Sequence, residues 1–271
     1  MEANAGQRKF VLAVNKFADM TNEEYRNLML GYRGGASMKA NATFQSTPSS
    51  KITLDTVDWR DRGLVVGIKD QGQCGSCWAF SAIASLEGQH AKRSGELLSF
   101  SEQELVDCAW EEGNEGCNGG FPSWAFDYLR RSGGVELEQD YPYEAQDDRC
   151  RLDKKKIVQE VTGFVQVESG SEEALQQAVT EVGPLSIGID AGSFSFQFYQ
   201  SGVYDERGCG SEQRDLNHGV TVIGYGVEEG HDYWLVKNSW GEDWGDEGYI
   251  RMSRNKDNQC GIATDATYPL I

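Results

Sequence analysis

The residue best suited to covalent chemistry in this 271-residue chain is Cys77. Residues 76–93 are rich in alanine and carry large apolar side chains too closely spaced for a surface helix, which predicts a buried helix with Cys77 at its start. Unpaired backbone N–H groups and the helix dipole favour an anion there. A free cysteine has a pKa of about 8.5, and this position with a cationic partner lowers it to roughly 3.5–7.5. We therefore predict a nucleophilic thiolate.

Only three histidines are available as the base that such a nucleophile needs. His90 follows Cys77 by 13 residues on the same predicted helix, and residues with this separation do not meet. His231 follows a Glu-Glu-Gly turn and is expected to be solvated. His218 remains, at the head of a predicted strand over residues 220–225.

The side chain expected to orient His218 is Asn238. The strand that His218 heads turns back near residue 228 into a second predicted strand over residues 233–237. In an antiparallel hairpin centred on residue 228, positions 218 and 238 lie opposite each other. Cys77, His218 and Asn238 would then supply a nucleophile, a base and an orienting group, the arrangement of a catalytic triad with a thiol.

The spacing Cys74-Gly-Ser-Cys77 also allows a redox or a zinc interpretation. A redox pair needs a thioredoxin-like βαβ context, which residues 65–69 supply poorly. A zinc site needs two further ligands at close spacing, whereas Cys108 and Cys117 are nine residues apart with no histidine nearby. We favour the nucleophile and expect no metal and no cofactor.

The composition favours a folded, soluble protein of an oxidising compartment. Hydrophobic residues make up 39% of the chain, and no apolar run reaches the roughly 18 residues of a membrane span. The chain has 43 Asp and Glu against 25 Lys and Arg, a formal charge of −18 that would repel nucleic acid and anionic membranes. Seven cysteines fit structural disulfides with one thiol left over, although counting leaves the free thiol and the pairing open.

The charge is unevenly spread along the chain. Residues 1–52 carry a net charge of +3 and the rest carries −21, so a basic arm is expected to be attracted to an acidic body. Residues 34–50 are rich in small and polar residues without hydrophobic periodicity, which predicts an extended or mobile, cleavable linker. This linker contains Asn41-Ala-Thr, the only glycosylation sequon. No signal peptide is present, so we expect a chain trimmed at its start.

The hydrophobic patterns predict an α+β protein in which a mainly helical half precedes an antiparallel β half. In the arm, an extended stretch over residues 10–17 precedes a helix that carries Tyr25, Leu28 and Met29 on one face. The cap of this helix is expected at Asp19, Thr21 or Asn22. Further helices are predicted over residues 76–93, 101–108, 122–131 and 172–182. Strands are predicted over residues 161–167, 185–190, 220–225, 233–237 and 249–252.

The segment Gln71-Gly-Gln-Cys-Gly-Ser-Cys-Trp-Ala-Phe80 resembles the active-site signature of the papain family of cysteine proteases. Matching motifs follow in the same order over about 215 residues and include Ser101-Glu-Gln-Glu-Leu-Val-Asp-Cys108, Asn217-His-Gly219 and Lys237-Asn-Ser-Trp-Gly241. The similarity is closest to the cathepsin L-like branch. It implies a papain-like two-domain fold, with a helical half over residues 53–160, an antiparallel β-barrel-like half over residues 161–271, and the active-site cleft between them.

The resemblance assigns a role to each residue of the active site. Cys77 would be the nucleophile, His218 the base that becomes its imidazolium partner, and Asn238 the orienting group. Gln71 would stabilise the oxyanion of the tetrahedral intermediate with the Cys77 backbone N–H. Trp240 would shield the hydrogen bond between His218 and Asn238 from water. The implied disulfides are Cys74–Cys117, Cys108–Cys150 and Cys209–Cys260, which leave Cys77 free.

Specificity in this family rests on the pocket for the side chain two residues before the scissile bond. The cleft residues that the resemblance implies in substrate binding are Gly119, Gly120, Phe121, Pro122, Gly188, Leu216, Gly219, Trp240 and Asp265. The apolar lining would favour Phe or Leu, while the Asp265 carboxylate at the floor would pair with a basic side chain. The alternative is that Asp265 points to solvent or pairs with a Lys or Arg of its own chain.

Residues 1–52 resemble the later part of the family's inhibitory prosegment, followed by a linker. The family motif Gly-x-Asn-x-Phe-x-Asp is present as Ala13-Val-Asn-Lys-Phe-Ala-Asp19, with alanine in place of the usual glycine. The long helix that precedes this motif in the family is missing, so we expect the chain to begin just after it. Maturation by cleavage is expected between Thr47 and Leu54.

The resemblance predicts a cysteine endopeptidase in zymogen form, acting on polypeptides, with its prosegment as intramolecular inhibitor. It further implies cystatin-type inhibitors as partners, a monomer, and a lysosomal, endosomal or vacuolar, or secreted location. Two alternatives share the sequence motifs. One is a non-catalytic papain-like binding protein, and the other is a transpeptidase that uses the same acyl-enzyme.

Overall fold

The computed structural model describes residues 9–33, 39–47 and 54–271. Its helices are α1 (Asn22–Met29), α2 (Cys77–Ser94), α3 (Glu102–Cys108), α4 (Pro122–Ser132), α5 (Glu172–Glu181) and α6 (Phe194–Gln197). Its strands are β1 (Phe10–Leu12), β2 (Ala42–Phe44), β3 (Val57–Asp58), β4 (Gly163–Val167), β5 (Leu185–Ile189), β6 (Tyr199–Tyr204), β7 (His218–Glu228), β8 (His231–Lys237), β9 (Tyr249–Ser253) and β10 (Ala266–Leu270). None of the helices in these ranges is both long and apolar enough to cross a membrane.

The strands form one open sheet in the order β1-β6-β9-β8-β7-β5-β10-β4-β2, with β3 paired to β7. The pairs are antiparallel except for β6 with β9 and β2 with β4. The helices α2, α3 and α4 precede seven of the ten described strands in the chain, and only the short strands β1, β2 and β3 come before them. The helical and β halves are therefore largely segregated, as the sequence predicts.

Helix α2 lies between the two halves of the fold. It packs against α3 and α4 and also against β5, β7 and β10. Its apolar residues are therefore buried on all sides, as their close spacing predicts. One hydrophobic core surrounds Trp78 and Phe126 in the helical half, and another surrounds Trp234 and Trp240 in the β half. The N-terminus of α2 is thereby fixed where the halves meet.

Helix α1 begins as predicted, but its buried face is narrower. The Thr21 side chain accepts a hydrogen bond from the Glu24 backbone N–H, which caps the helix. Tyr25 and Met29 of the predicted apolar face are buried, whereas Leu28 is 36% exposed. A two-turn helix that packs on a larger surface buries residues four positions apart, here Tyr25 and Met29, and Leu28 lies beside them.

Part of the predicted linker is a strand. Residues 42–44 form β2, which pairs in parallel with the open edge of β4. The backbone N–H of Phe164 donates to the Asn41 side chain at 2.9 Å. The prediction of an extended or mobile linker therefore misses this edge pairing, which main-chain hydrogen bonds and the Asn41 side chain form without any hydrophobic periodicity. Residues 34–38 and 48–53, with most of the expected cleavage region, lie outside the described residues.

The hairpin of β7 and β8 has a different register from the predicted one. Its two-residue turn is Glu229-Gly230, where both residues have a positive φ, and Glu228 pairs with His231. The register then shifts between Val222 and Gly224. Positions 218 and 238 are consequently not opposite each other. His231 is the partly buried first residue of β8 rather than a solvated turn residue.

Candidate active site

Cys77 is the first residue of α2 and is completely buried. The first turn of this helix carries no acidic residue that would oppose a negative charge. The sulfur accepts hydrogen bonds from two backbone N–H groups, those of Gly219 and Gly31, each at 3.3 Å. Cys77 is also the one free cysteine among the described residues. The fold therefore places the Cys77 sulfur where two backbone N–H groups donate hydrogen bonds to it.

His218 lies at the head of β7 and is also completely buried. Its Nε2 lies 2.8 Å from Oδ1 of Asn238, which also accepts a hydrogen bond from the Ser239 backbone N–H at 2.8 Å. The indole of Trp240 stacks on the imidazole at 4.5 Å between ring centroids. The expected contact between His218 and Asn238 is present although the strand register differs, because Asn238 follows the end of β8.

Gln71 is fixed by hydrogen bonds at both ends of its amide. Its Oε1 accepts from Ser239 Oγ at 2.7 Å and from Trp240 Nε1 at 3.1 Å. Its Nε2 therefore points the other way and donates to the carbonyl oxygens of Met29 at 3.0 Å and Cys74 at 2.8 Å. The Met29 carbonyl of the basic arm thus accepts one of the hydrogen bonds that the Gln71 amide can donate.

Residues Gly31–Arg33, here called the cleft segment, lie across the site. The carbonyl of Gly31 accepts from the Gly120 backbone N–H at 2.8 Å, and the Tyr32 N–H donates to the Asn217 carbonyl at 3.0 Å. A side chain at position 31 would bring its Cβ within 1.7 Å of the Gly75 carbonyl oxygen, so only glycine fits. The group that this segment directs at the thiol is the N–H of Gly31, not a carbonyl group.

Burial changes the protonation of the thiol and the imidazole. It raises the pKa of Cys77 to about 11, against the hydrogen bonds from Gly219 and Gly31. It lowers the pKa of His218 to about 4, against the hydrogen bond to Asn238. Both groups are therefore neutral at neutral pH. The low thiol pKa predicted from the helix N-terminus is wrong for this covered state, because desolvation outweighs the backbone donors.

The pocket that the sequence assigns to substrate recognition holds the side chain of Tyr32. The Tyr32 ring lies 5.0 Å from the Phe121 ring and shares a small buried cluster with Leu216. A Cβ at Gly188 would lie 2.4 Å from Cζ of Tyr32, so the absence of a side chain there gives the ring its room. Three of the predicted pocket residues thus surround one side chain of the arm.

Asp265 lies at the end of this pocket and is only 3% exposed. Its Oδ2 accepts hydrogen bonds from the Tyr32 hydroxyl at 2.7 Å and from Gln213 Nε2 at 3.0 Å. Burial raises the pKa of Asp265, against these hydrogen bonds. No Lys or Arg of the described residues forms an ion pair with it. With Tyr32 in the pocket, Asp265 is therefore neither solvated nor paired with a Lys or Arg of the described residues.

The arm is anchored beyond the cleft by aromatic packing on Trp240. The rings of Phe17 and Tyr25 meet the indole edge-on at 5.3 and 5.6 Å. The Tyr25 hydroxyl donates to the Ala191 carbonyl at 2.8 Å. Trp240 is therefore covered by the arm on one part of its surface and by His218 on another.

Ion pairs add a smaller contribution to this anchoring. Three of them join the basic arm to the acidic body: Lys9–Asp205 at 3.6 Å, Lys16–Asp70 at 2.6 Å and Arg33–Glu115 at 2.8 Å. All three pairs are partly exposed, so each contributes about 0.2–1 kcal/mol. The unequal charge of arm and body thus corresponds to specific contacts.

The structure contains the disulfides Cys74–Cys117, Cys108–Cys150 and Cys209–Cys260 that the resemblance implies. Cys74 is therefore bonded away from Cys77, which excludes a disulfide within the C-x-x-C motif. Gly120 exchanges backbone hydrogen bonds with Gly31 and Arg33, and a Cβ at Gly119 would lie 2.7 Å from the Gly31 carbonyl oxygen. Pro122 is buried as the first residue of α4.

Sequence reasoning did not single out Tyr32, Gln213 or Glu115. The sequence signal for Tyr32 was the position of an aromatic residue between Gly31 and the pair Gly34-Gly35 in the basic arm. Gln213 begins a short 3-10 turn and Glu115 immediately precedes another, neither with a distinctive motif, so only the fold brings them to the cleft.

Comparison with known proteins agrees with this arrangement. The model of the papain family cysteine proteases matches residues 53–270. The chain is 53% identical over 266 residues to digestive cysteine proteinase 3 of Homarus americanus, covering 98% of this chain and 81% of that protein. It is 48% identical over 275 residues to procathepsin L of Rattus norvegicus, covering 100% of this chain and 80% of that protein. The chain therefore belongs to the papain family of cysteine proteases, in its cathepsin L-like branch.

The fold comparison leads to the same branch. The structure of digestive procathepsin L 3 of Tenebrio molitor larval midgut matches with a TM-score of 0.91 and 42% sequence identity, over 100% of this chain and 86% of that one. The proform of the ragweed pollen cysteine protease Amb a 11 matches with a TM-score of 0.88 and 39% identity, over 100% of this chain and 84% of that one. The papain-like fold predicted from the sequence is thus confirmed, and both neighbours are proenzymes.

Proposed function

We propose that this protein is the zymogen of a cathepsin L-like endopeptidase in which Cys77, His218, Asn238 and Gln71 carry the chemistry. One observation carries the proposal. The free thiol of Cys77 accepts a hydrogen bond from Gly31 of the basic arm, the neighbouring Tyr32 fills the adjoining pocket, and His218 is completely buried in the same state. Removal of the arm would expose nucleophile, base and pocket together.

Release of the arm rehydrates the thiol and the imidazole, and so removes the desolvation that keeps both neutral. The proton of Cys77 Sγ then moves to Nδ1 of His218, a buried atom with no hydrogen-bond partner among the described residues. Asn238 holds Nε2 of the resulting imidazolium. The thiolate at the helix N-terminus is stabilised by the unpaired N–H groups and the dipole of α2.

The thiolate attacks the carbonyl carbon of the scissile peptide, and the C–O π electrons move onto the carbonyl oxygen. Gln71 Nε2, which here donates to the Met29 carbonyl, and the Cys77 N–H would stabilise this oxyanion. His218 then returns its proton to the leaving amine as the C–N bond breaks, leaving an acyl-enzyme. Water deprotonated by His218 adds to the acyl carbon, the C–S bond breaks to release the carboxylic acid, and the thiolate–imidazolium pair is restored. Trp240 keeps bulk water away from the imidazole.

The pocket around Tyr32 would receive the substrate side chain two residues before the scissile bond. Phe121 and Leu216 favour apolar side chains, and the buried Asp265 carboxylate favours a basic one that reaches the floor. Because Asp265 has no cationic partner of its own among the described residues, a substrate arginine would be its first counter-charge.

We further propose a monomer that acts in a lysosomal, endosomal or vacuolar, or secreted compartment and is inhibited by cystatin-type proteins. The three disulfides support an oxidising route of synthesis. Asn41 is an exposed residue next to β2, which supports its glycosylation in the proenzyme. Residues 1–52 would be the prosegment and linker, and residues 53–160 and 161–271 the two halves of the enzyme.

The experiment is to compare His218→Ala with His231→Ala after removal of the prosegment. His231 is a matched control because it is the histidine at the other end of the same hairpin. We expect loss of at least about a thousandfold in peptide hydrolysis for His218→Ala and an unchanged rate for His231→Ala. Equal activity of the two variants would refute the assignment of the base.

A further inference from the structure

The side chain that fills the specificity pocket is a tyrosine whose hydroxyl is hydrogen-bonded at the far end. Tyr32 is 5% exposed, and its hydroxyl lies 2.7 Å from Asp265 Oδ2. Its ring is held between apolar groups, with the Phe121 ring at 5.0 Å. The pocket therefore accommodates a whole phenol side chain. Apolar residues contact its ring, and Asp265 accepts a hydrogen bond from its hydroxyl.

Asp265 is held in place to accept this hydrogen bond. Gln213 Nε2 donates to the same carboxylate oxygen at 3.0 Å. The Asp265 carbonyl accepts from the Gly188 N–H at 3.0 Å, which ties its backbone to β5 just before β10 begins. The carboxylate thus has a fixed position at the pocket floor, and Gln213 satisfies only part of its capacity to accept hydrogen bonds.

A ligand without a donor at this depth would leave the carboxylate poorly satisfied. A buried polar group that loses its partner costs more than the same bond contributes when it is made. A site that hydrogen-bonds a substrate hydroxyl consequently rejects the analogue that lacks it more strongly than a purely apolar pocket separates two hydrophobic side chains. Phenylalanine has the size and shape of tyrosine but brings no donor to Asp265.

We propose that the pocket closed by Asp265 and Gln213 selects tyrosine over phenylalanine two residues before the scissile bond. The inference rests on the proposed protease function and names the substrates it favours. In this account Tyr32 occupies the place of the preferred substrate side chain, one residue from the Gly31 N–H that contacts the sulfur.

The test compares peptides that differ only at this position and carry Tyr, Phe, O-methyltyrosine, Leu or Arg. Rates of hydrolysis are normalised to the concentration of reactive Cys77 in the processed enzyme. We expect kcat/KM for Tyr to exceed that for Phe by about 10-fold, because a buried carboxylate without a donor carries a penalty of this order. O-methyltyrosine should be cleaved no better than Phe, since its oxygen cannot donate.

Two variants distinguish the effect of the Asp265 carboxylate on the Tyr to Phe ratio from the effect of the pocket's shape. Asp265→Ala should bring the Tyr to Phe ratio close to one, whereas Asp265→Asn keeps an acceptor and should retain part of it. Glu173→Ala is the control, since Glu173 is an exposed carboxylate at the start of α5 and its loss should leave the ratio unchanged. If Asp265→Ala does not fold, the three aromatic peptides on the unaltered enzyme decide the question.

The pH dependence distinguishes an ion pair of Asp265 with a substrate arginine from a hydrogen bond of Asp265 with a substrate tyrosine. Preference for Arg over Leu should fall as the carboxylate is protonated, because the ion pair is lost. Preference for Tyr over Phe should fall less, since a protonated carboxyl still accepts from a phenol. Equal rates for Tyr, Phe and O-methyltyrosine would overturn the inference while leaving the protease intact. Absence of both hydrolysis and thiol labelling would instead overturn the proposed function.

Discussion

The prosegment holds the enzyme through two regions of opposite character. Around Trp240 the contact is aromatic, with Phe17 and Tyr25 packed edge-on against the indole. In the cleft the contact is polar, with backbone hydrogen bonds, the Gly31 N–H on the sulfur and the Tyr32 hydroxyl on Asp265. The aromatic region contributes buried area, and its indole also stacks on His218, whereas the polar region covers the Cys77 sulfur and the Asp265 carboxylate. The two regions of the prosegment therefore lie against different ionisable groups.

The largest effect is expected from removing an aromatic anchor. Tyr25→Ala deletes a completely buried ring and its hydrogen bond to Ala191, at a cost of about 3–5 kcal/mol to the covered state. The variant should show reactive Cys77 at neutral pH without processing. Leu28→Ala is the control, because Leu28 lies on the same helix and is 36% exposed. If both variants stay as closed as the parent, the aromatic contact is not the anchor.

Acid should open the cleft through His218. Its pKa is lowered to about 4 by burial, whereas an uncovered histidine has a pKa of about 6.5. The uncovered state therefore binds the proton more tightly, and the cover loses stability as pH falls from about 6.5 towards 4. Asp265 acts in the opposite direction, because its pKa is raised in the covered state.

We expect processing to be about tenfold faster or more at pH 4.5 than at pH 7, since one pKa unit corresponds to about 1.4 kcal/mol. The measurement is the rate of appearance of the mature chain, with a fixed amount of added mature enzyme at each pH as the control for protease activity. A processing rate that does not change with pH would leave His218 without a part in opening.

A smaller effect is expected from Tyr32→Phe. This change keeps the ring against Phe121 but removes the donor to Asp265, at a cost of about 1–2 kcal/mol to the covered state. The variant should react with a thiol reagent about 5- to 30-fold faster than the parent at pH 7. An unchanged rate would show that the hydroxyl contributes nothing to closure.

The smallest effect is expected from the partly exposed ion pair of Arg33 with Glu115. Glu115→Gln should weaken closure by about 0.2–1 kcal/mol, and the difference should vanish at high salt. Glu111→Gln removes a neighbouring, more exposed carboxylate that pairs with Arg131 instead, and should have no effect on closure. Thiol reactivity at two ionic strengths separates these outcomes.

Several elements that build the active site could be predicted from local sequence. The buried helix that begins at Cys77 follows from the spacing of its apolar residues, and residue type narrows the cap of α1 to three candidates, of which Thr21 forms it. The pairing of His218 with Asn238 was expected from a register that proved wrong, because a turn at Glu229-Gly230 and a shift within β7 move the strands. The side-chain contact survives this error because Asn238 lies beyond the paired residues of β8.

The polar region could not be predicted in the same way. Gly31 and Tyr32 are separated in sequence from Cys77 and Asp265, and only the tertiary fold brings them together. The thiol pKa shows the same limit. A helix N-terminus predicts a lowered value, but burial beneath a distant segment reverses its direction. Local rules describe the uncovered site, whereas the covered site depends on long-range packing.

The most direct test of the central claim is the rate of Cys77 alkylation by iodoacetamide, measured against pH before and after removal of the prosegment. The proenzyme should react slowly, with a rate that rises only at alkaline pH, because burial raises the thiol pKa to about 11. The processed enzyme should label one thiol rapidly already at pH 5, as expected for a thiolate at a helix N-terminus. Equal rates in the two forms, or labelling of a second cysteine without reduction, would contradict the account.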